Sequence, residues 1–570
     1  MKKIAIVGCG PRGLASLENL MASLAKYTSQ PEVSGLIFEP EKYPGAGQVW
    51  KLDQVDSNWS NISDRALKNL EGREKIDFES FTIPKFPSYI QWMDEKYNHK
   101  LSEEVDQFPP RNIMGRYLNE RFNSIYKVLE TQKLYTLIKT EVKEIRTETN
   151  SLLLVDDTGK TYECDECLLS IGHQSTYDDD QIKKWKKHCE NTPNILIDNP
   201  YSKDLQTKVA SHHKVAIRGF GLAMIDVVRM LTVEKGASFT TNEKGDKLTY
   251  IPSDNSVGKI AAFSLDGLPM VPKPLGNNVD QFFEATDAQI QGFRDTINKS
   301  LTDHKKTKDH TFLLKAFSEI AAAIFLNHPL VSTKSDEQDI RNIIESWLDD
   351  MSFEHSLILN TKLPIVDYMM KTVAMARGTE APSLDFCIGQ VWRHLQPTMY
   401  ALFSHCMLDE EVIEKIVTLD ESTKRYSYGP PVKSIEQLIA LANEGVLELR
   451  YARDPDIKCV ENGWELSEAK NKDTYNVMID SVLDAPKLVA IDSGLIVNLK
   501  NSDLLSPVTS NLGVDTRKDG VVILSKKNEN VFLTMLGRNC KGSVLGVDAI
   551  LECFGSRIED WAEGVADRLQ

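Results

Sequence analysis

The stretch that decides the fold is Lys2–Leu20, which reads KKIAIVGCGPRGLASLENL. A short apolar run, Ile4–Val7, ends directly in a G-x-G-x-x-G turn at Gly8–Gly13, and a helical pattern of apolar residues follows. This order of strand, glycine turn and helix is typical of a dinucleotide-binding unit on a parallel sheet. We therefore predict an α/β fold that begins with such a unit.

The three glycines of this turn have separate physical roles. Gly8 permits the tight turn, Gly10 lets the backbone approach a pyrophosphate, and Gly13 lets the helix pack closely on the strand. The helix N-terminus, which opens with Pro11 and Arg12, then points its free N–H groups at the phosphates.

An acidic residue that accepts hydrogen bonds from a ribose is expected at the end of the next strand of such a unit. The run Leu36–Glu39 supplies it as Glu39. The loop that follows, Pro40–Trp50, carries Gly45 and Gly47, whose small size lets the backbone lie close to a flat or phosphorylated ligand.

A second strand, glycine turn and helix lie at Lys214–Arg218, Gly219–Gly221 and Leu222–Leu231. Two such units in one chain are typical of a flavoprotein with one site for FAD and one for NAD(P)H. Met224 replaces the third glycine, which weakens the second motif.

The strand after this second unit is predicted at Lys259–Phe263, and Asp266 behind it suits a ribose diol. No arginine follows that strand in the sequence to take a 2′-phosphate. NADH is therefore expected to bind at least as well as NADPH, although the choice between the two coenzymes stays open.

The composition narrows the class of protein. A chain of 570 residues is long enough for two to four domains. Its formal net charge of −16 at pH 7 disfavours nucleic acid and anionic membranes as partners, because both require basic surface. No apolar run approaches the ~18 residues of a membrane helix, and the first apolar run is too short for a secretory signal. We expect a cytoplasmic protein that handles a small molecule.

Nine cysteines are scattered through the chain. Cys164 and Cys167 form a C-x-x-C, but they lie in a predicted strand, where residues three apart face opposite sides. No second pair completes a zinc site, so buried free thiols are favoured over a redox or metal role and no metal site is predicted.

The middle of the chain, Asn277–Ala442, has a largely helical periodicity. We interpret it as a helical insertion that covers the active site. Trp392-Arg393-His394, Pro397 and Tyr400 are candidates for its ligand-facing side, with core or surface positions as the alternative.

Shorter predicted elements surround these units. Three strands are predicted at Leu134–Ile145, Ser151–Asp156 and Thr161–Leu169. His173 follows the third of them and is expected either to contact a flavin or nicotinamide or to be an exposed loop residue. Near the C-terminus a strand at Asn530–Arg538 precedes a final helix, whose N-terminus is placed at Ser543–Gly546. Arg111 and Arg116 are expected to meet anionic groups or to be solvated at a helix end.

Six segments carry a family resemblance: Val7–Leu20, Phe38–Trp50, Phe108–Leu118, Leu168–His173, Gly219–Val228 and Leu536–Leu551. In them the chain resembles the bacterial FAD/NAD(P)-binding proteins of the monooxygenase-like kind, the group that includes an FAD-dependent urate hydroxylase. The G-L-x-M-x-D form of the second turn is similar to that family's own pattern, whereas its expected serine-arginine pair is here Ser264-Leu265.

The resemblance and the motifs together imply a cofactor site, with no catalytic residue assigned. It consists of Gly8, Gly10, Pro11, Arg12, Gly13, Glu39, Pro40, Gly45, Gly47, Gln48, Trp50, Asn61, Arg116, Gly172, His173, Gly219, Gly221, Leu222, Asp226, Gly537, Ser543 and Val544.

The implied architecture is α/β, with two Rossmann-like dinucleotide-binding domains for FAD and NAD(P) and a helical insertion. The expected parts are an FAD-binding part at 1–175, an NAD(P)-binding-like part at 176–276, the insertion at 277–442, a return to the NAD(P)-binding-like domain at 443–480 and a second FAD-binding part at 481–570.

The implied activity is that of an FAD-dependent oxidoreductase, a monooxygenase that uses NAD(P)H and a flavin hydroperoxide to hydroxylate a small substrate, with a nitrogen-bearing one as a candidate. An NAD(P)H-dependent reductase or dehydrogenase without oxygen insertion is an alternative, and a non-catalytic redox-sensing flavoprotein is another. The oligomeric state stays open.

Overall fold

The computed structural model of the chain describes residues 2–28, 30, 33–242, 247–524 and 532–569. Two five-stranded parallel sheets organise these residues. In the first sheet all neighbouring strands are parallel, and Ile4, Ala5 and Ile6 of its central strand are fully buried. Its strands, in spatial order, are Phe532–Met535, Glu166–Leu169, Lys2–Val7, Val33–Phe38 and Tyr135–Ile138.

The second sheet repeats this arrangement. Every residue of Lys214–Arg218 pairs in parallel with the strand Lys259–Phe263, which confirms the predicted strand there. Its strands, in spatial order, are Ile195–Ile197, Val477–Asp480, Lys214–Arg218, Lys259–Phe263 and Leu447–Glu448. The chain is therefore an α/β protein with two Rossmann-like parallel sheets.

Antiparallel strands occupy the connections between the parallel ones. Two of the predicted strands, 134–145 and 161–169, are each divided, because part of each belongs to a parallel sheet and part to an antiparallel meander. The antiparallel strands are Ile76–Asp77 with Thr82–Ile83, Val142–Thr147 with Leu152–Asp156 and Thr161–Cys164, Ser238–Thr241 with Leu248–Ile251, and Asp456–Val460 with Gly463–Glu468 and Asn471–Tyr475.

Further helices precede and follow the insertion along the chain. Those outside residues 277–443 are Pro11–Tyr27, Asp64–Leu67, Tyr89–Tyr97, Arg111–Thr131, Asp180–Cys189, Lys203–Lys208, Leu222–Leu231, Gly494–Asn501 and Ser556–Asp567. Short 3₁₀ turns occupy Val233–Lys235, Gln281–Phe283, Leu488–Ala490, Arg538–Cys540 and Leu551–Phe554.

The predicted helical region is helical, and it connects two neighbouring strands of the second sheet, Lys259–Phe263 and Leu447–Glu448. The domain limits at 175, 276, 442 and 480 stay a prediction. The helices of the insertion are Asn277–Asp280, Asp287–Thr302, Thr311–Asn327, Glu337–Asp349, Ile365–Ala376, Leu384–Phe403, Glu410–Ser427 and Val432–Asn443.

A buried ion cluster joins the first helix to its surroundings. Glu18, on Pro11–Tyr27, accepts hydrogen bonds from Arg73 Nη1 at 2.7 Å and from Arg121 Nη2 at 2.8 Å. All three side chains are at most 5% exposed. One carboxylate thus holds two guanidinium groups inside the first Rossmann-like unit.

For the cysteines and for the length and hydropathy of the helices, the sequence predicted neither a metal site nor a membrane span. Cys164 and Cys167 are buried and free, as are Cys9, Cys387 and Cys540. Among the residues that the structure describes, no helix is both long enough and apolar enough to cross a bilayer.

Candidate functional site

A cavity of about 2080 Å³ is lined by residues of both sheets and of the insertion. The first sheet contributes loop residues such as Trp50 and His173, the second contributes Arg218 and Leu222, and the insertion contributes Arg393. Several of these residues follow the carboxyl ends of parallel strands, where open α/β sheets bind their ligands. The cavity is therefore the candidate site.

The first glycine turn has the close approaches that a dinucleotide needs. A Cβ on Gly13 would lie 2.4 Å from the carbonyl oxygen of Gly8, so helix and strand pack closely there only because Gly13 has no side chain. A Cβ on Gly10 would lie 3.3 Å from the Cα of Gly47. Gly10 and Gly47 thus form a wall of closely packed bare backbone at the start of the helix Pro11–Tyr27, the position at which such units hold a pyrophosphate.

Glu39 is fixed beside this turn. Its carboxylate accepts hydrogen bonds from the N–H of Cys9 at 2.8 Å and from the N–H of Glu41 at 2.9 Å. Burial raises the pKa of Glu39. Its place after the second strand is where a ribose is recognised in such units, so the residues present fit the adenosine half of FAD.

The flavin side of the expected site opens into the cavity. Gln48, Trp50 and Asn61 line it, and Gly172 has a positive φ of 66° with no atom within 4 Å of a Cβ built there. His173 is exposed to the cavity, and desolvation together with the nearby Arg538 guanidinium lowers its pKa to about 4. The imidazole is therefore neutral at pH 7.

Other predicted residues lie away from the cavity surface. Pro40 and Arg116 are exposed, the latter on the helix Arg111–Thr131, while Gly45 is buried and donates its N–H to the Cys9 carbonyl oxygen at 2.6 Å. Arg12 donates to the carbonyl oxygen of Val547 at 3.3 Å and so ties the first helix to the C-terminal segment.

The C-terminal segment differs from its prediction. The last helix is Ser556–Asp567, so the helix N-terminus placed at Ser543–Gly546 is wrong. Gly546 packs so closely on Tyr400 that a Cβ there would lie 2.1 Å from the Tyr400 ring, and this contact holds the segment in a turn. Residues 530 and 531 of the predicted strand lie outside the described residues.

Two predicted cofactor residues of that segment are turned inward. The buried Ser543 hydroxyl donates to Asp515 at 2.8 Å and accepts from the N–H of Thr516 at 3.0 Å, and Val544 is part of a hydrophobic core. Gly537 has a φ of 108°, and a Cβ on it would lie 2.6 Å from Arg12 Nη1. These three residues are engaged in contacts within the protein, and none of them is among the residues that line the cavity.

In the second glycine turn, Gly221 has free space where a side chain would lie, whereas Gly219 does not. A Cβ on Gly219, whose φ is 108°, would lie 2.6 Å from Ser481 Oγ. No atom lies within 4 Å of a Cβ built on Gly221, which caps the helix Leu222–Leu231. Met224 is fully buried in the hydrophobic core.

Asp226 has a structural partner instead of an open approach to a coenzyme. Its buried carboxylate accepts hydrogen bonds from Arg111 Nη2 and from the Tyr201 hydroxyl, the latter at 2.9 Å. Arg111 belongs to the first Rossmann-like unit, so this ion pair joins the two units. Arg111 was expected to contact an anionic group, and that group is the carboxylate of Asp226.

Two arginines stand at the end of the strand Lys259–Phe263. Arg425 forms an ion pair with the Asp266 carboxylate, and Arg453 Nε donates to the Asp266 carbonyl oxygen at 3.2 Å. Leu265, which precedes Asp266, is 86% exposed. The statement that no arginine is available there is wrong, because both come from segments more than 150 residues further along the chain.

A cluster of charged side chains that the sequence did not reveal lines another part of the cavity. Arg65 Nε and Nη2 donate to the Asp106 carboxylate at 2.9 and 3.0 Å, and Nη2 also donates to Asp280 at 2.7 Å. Arg393 and His394, two predicted ligand-facing residues, both contact Asp280, while Trp392 is buried. Pro397 and Tyr400 also line the cavity.

A second cluster joins the insertion to the C-terminal segment. Asp548 lines the cavity and accepts from Lys424 Nζ and from Arg538 Nη1, both at 2.5 Å. Despite burial, these cations hold the pKa of Asp548 well below its usual range. Nearby, burial raises the pKa of Glu552 to about 7, so this cavity-lining carboxyl titrates near neutral pH.

Comparison with protein families identifies the first unit. Residues 5–174 match the model of a family described as FAD-NAD(P)-binding. This part of the chain is an FAD-NAD(P)-binding domain, in agreement with its glycine turn and Glu39.

Two curated proteins are similar to roughly half of the chain. A nitrosuccinic acid synthase of Aspergillus oryzae is 26% identical over 307 residues, 51% of this chain and 45% of that protein. An L-aspartate N-monooxygenase (nitrosuccinate-forming) of Streptomyces cremeus is 26% identical over 274 residues, 44% of this chain and 40% of that protein. The chain thus spans less than half the length of these relatives.

A solved ornithine hydroxylase of Pseudomonas aeruginosa is similar in structure over the whole of both chains. The sequence identity is 11% and the TM-score is 0.45.

Proposed function

We propose that the protein is an FAD-dependent monooxygenase that uses a reduced nicotinamide coenzyme to hydroxylate the nitrogen of a small amino acid with an acidic side chain. The observation that carries the proposal is one cavity lined by residues that flank the glycine-bearing segments of both units, Gln48 beside Gly47 in the first and Leu222 directly after Gly221 in the second, and by residues of the insertion. The names of the two similar proteins support the nitrogen-bearing, acidic substrate.

The chain's own residues have assigned tasks in this proposal. FAD, when bound, supplies the electron transfer and oxygen activation that amino-acid side chains lack. The Gly10–Gly47 wall and Glu39 would hold its pyrophosphate and ribose, and the neutral His173 borders the space where substrate and flavin meet. Residues of the insertion, such as Arg393 and Tyr400, line the cavity and would limit the access of water to that space.

The alternatives are a reductase without oxygen insertion and a redox-sensing flavoprotein. The insertion contributes charged residues to the cavity wall, which favours an enzyme over a flavoprotein whose insertion is only a partner interface. Oxygen transfer to the substrate distinguishes the monooxygenase from the reductase.

The experiment that detects this transfer reduces the FAD-loaded protein anaerobically with NADPH or NADH and then admits air in the presence of L-aspartate. We expect flavin reduction, followed by a product in which mass spectrometry detects oxygen added to the amino acid. Reoxidation that releases only hydrogen peroxide, with L-aspartate and a panel of other amino acids unchanged, would establish the reductase alternative.

The arginines beside Asp266 lead to a prediction about the coenzyme. Arg425 neutralises Asp266, and Arg453 adds a positive charge at the strand end where a 2′-phosphate lies in such units. We therefore expect the oxidised, FAD-loaded protein to bind NADP⁺ more tightly than NAD⁺. Arg453→Ala should weaken NADP⁺ about 10- to 100-fold in a calorimetric titration and leave NAD⁺ unchanged.

Arg450→Ala is the matched control for this measurement. Arg450 lies three residues away on the surface and is paired with Glu448 and Asp473. Equal affinities of the unmodified protein for NADP⁺ and NAD⁺ would contradict the prediction and restore the expectation drawn from the sequence.

A further inference from the structure

Lys273 and Arg393 face the same part of the cavity although both carry positive charge. Lys273 lies on the segment that leads into the insertion, and Arg393 lies on its helix Leu384–Phe403. Two like charges near each other in a partly desolvated space repel, so the lysine either loses its proton or is stabilised in its charged form by an anion.

The surrounding anions are already engaged by other cations. Asp106 accepts from Nε and Nη2 of Arg65, and Asp280 accepts from Arg65 and from Arg393. Two carboxylates thus balance two guanidinium groups. The carboxylate of Glu284, near Asp280 and His394, is exposed to water, which screens its charge.

Lys273 is the cation left over in this part of the described chain. Its ammonium donates a hydrogen bond to the carbonyl oxygen of Asn61, which is an uncharged group. An ammonium carries three donors, so two remain for a ligand in the cavity. Asn61 is one of the residues expected to form the cofactor site, so Lys273 lies next to that expected site.

We propose that Lys273, with Arg393 beside it, binds the carboxylate of the substrate's acidic side chain and thereby selects acidic amino acids over neutral ones. This inference rests on the proposed function, because the molecule bound there is the one to be hydroxylated. One uncompensated positive charge matches one carboxylate, and a charged hydrogen bond inside a cavity contributes more to affinity than one on the surface.

The site has a defined pH dependence. Burial and the positive charge of Arg393 lower the pKa of Lys273 to about 7, while Asp280 and Asp106 act in the opposite direction. The ammonium is therefore charged below pH 7 and is lost as the pH rises through this value. Affinity for a carboxylate should fall over the same interval, and an arginine at position 273 should stay charged throughout.

The test uses succinate, a dicarboxylate that carries no nitrogen to be hydroxylated. Its binding to the oxidised, FAD-loaded protein is measured by calorimetry at about pH 6 and about pH 8.5, on either side of the lysine pKa. We expect succinate to bind more tightly at the lower pH. Lys273→Met should weaken succinate about 10- to 100-fold at the lower pH, and Lys273→Arg should keep the affinity and remove the pH dependence.

Lys203→Met is the matched control, since Lys203 is an exposed lysine that also lines the cavity. We expect it to bind succinate as the unmodified protein does. Equal losses in the two methionine variants would show a general charge effect and overturn the proposal. An unmodified protein that does not bind succinate, or a Lys273→Met protein with normal FAD content and unchanged affinity, would also overturn it.

These outcomes are separable from those of the proposed function. Succinate binding requires neither flavin reduction nor oxygen, whereas the proposed function is judged by oxygen transfer to L-aspartate. Oxygen transfer that is indifferent to Lys273 would reject the inference alone, and Lys273-dependent binding without oxygen transfer would reject the proposed function alone.

Discussion

A Gly221→Val protein is expected to keep its FAD and to lose affinity for the nicotinamide coenzyme by a factor on the order of 100 or more. The backbone at Gly221 is extended, with φ −93° and ψ −161°, and no atom lies within 4 Å of a Cβ built there. Valine therefore fits the fold, but its methyl groups occupy the space in which a pyrophosphate meets the helix N-terminus. The measurement is the rate of anaerobic flavin reduction as a function of NADPH concentration.

Gly258→Val is the control for this experiment. Gly258 lies in the same Rossmann-like unit, just before the strand Lys259–Phe263, and a Cβ there also has open space. It should not alter the reduction kinetics. If Gly221→Val also leaves them unchanged, the coenzyme does not bind at this turn.

Glu18→Ala is expected to lower the free energy of unfolding by about 3–5 kcal/mol. The change removes the carboxylate that Arg73 and Arg121 share and leaves two guanidinium groups buried without it. Because the first helix carries Glu18 and begins within the Gly8–Gly13 turn, FAD release should accompany unfolding. Thermal melting followed by flavin fluorescence should show a midpoint lower by roughly 10 °C.

The control for Glu18 is Glu563→Ala. Glu563, on the helix Ser556–Asp567, pairs with Lys26 on the first helix, but both side chains are exposed. Surface pairs of this kind contribute 0–1 kcal/mol at the median, so a shift of at most about 2 °C is expected. A similar small shift for Glu18→Ala would mean that the buried cluster adds nothing to stability.

Elements formed by residues that are close in the sequence could be predicted from the sequence alone. The first glycine turn, Glu39 after the second strand and the strand Lys259–Phe263 were all readable, because spacing along the chain decides them. The helical insertion was readable for the same reason. The division of two predicted strands was not, since strand partners and not propensity determine where a strand leaves one sheet for another.

The cavity depends on contacts between distant segments, and these were missed. Lys273 and Arg453 show no motif in their own surroundings and acquire meaning only beside Arg393 and Asp266. Asp226 belongs to a recognisable motif, yet its carboxylate is engaged by Arg111 across the contact of the two units. The final helix was placed too early because the packing of Gly546 on Tyr400 cannot be read from the segment itself.

The first sheet takes its edge strand from the far end of the chain, and this order matters while the protein is being synthesised. The strand Glu166–Leu169 leaves the ribosome about 360 residues before its partner Phe532–Met535, a delay of roughly 20–70 s at ~5–20 residues per second. During that time its edge has no partner and the first helix lacks Ser556–Asp567. Until the C-terminal strand has been translated, a nascent chain therefore exposes an unpaired strand edge that is prone to aggregation and that chaperones can bind.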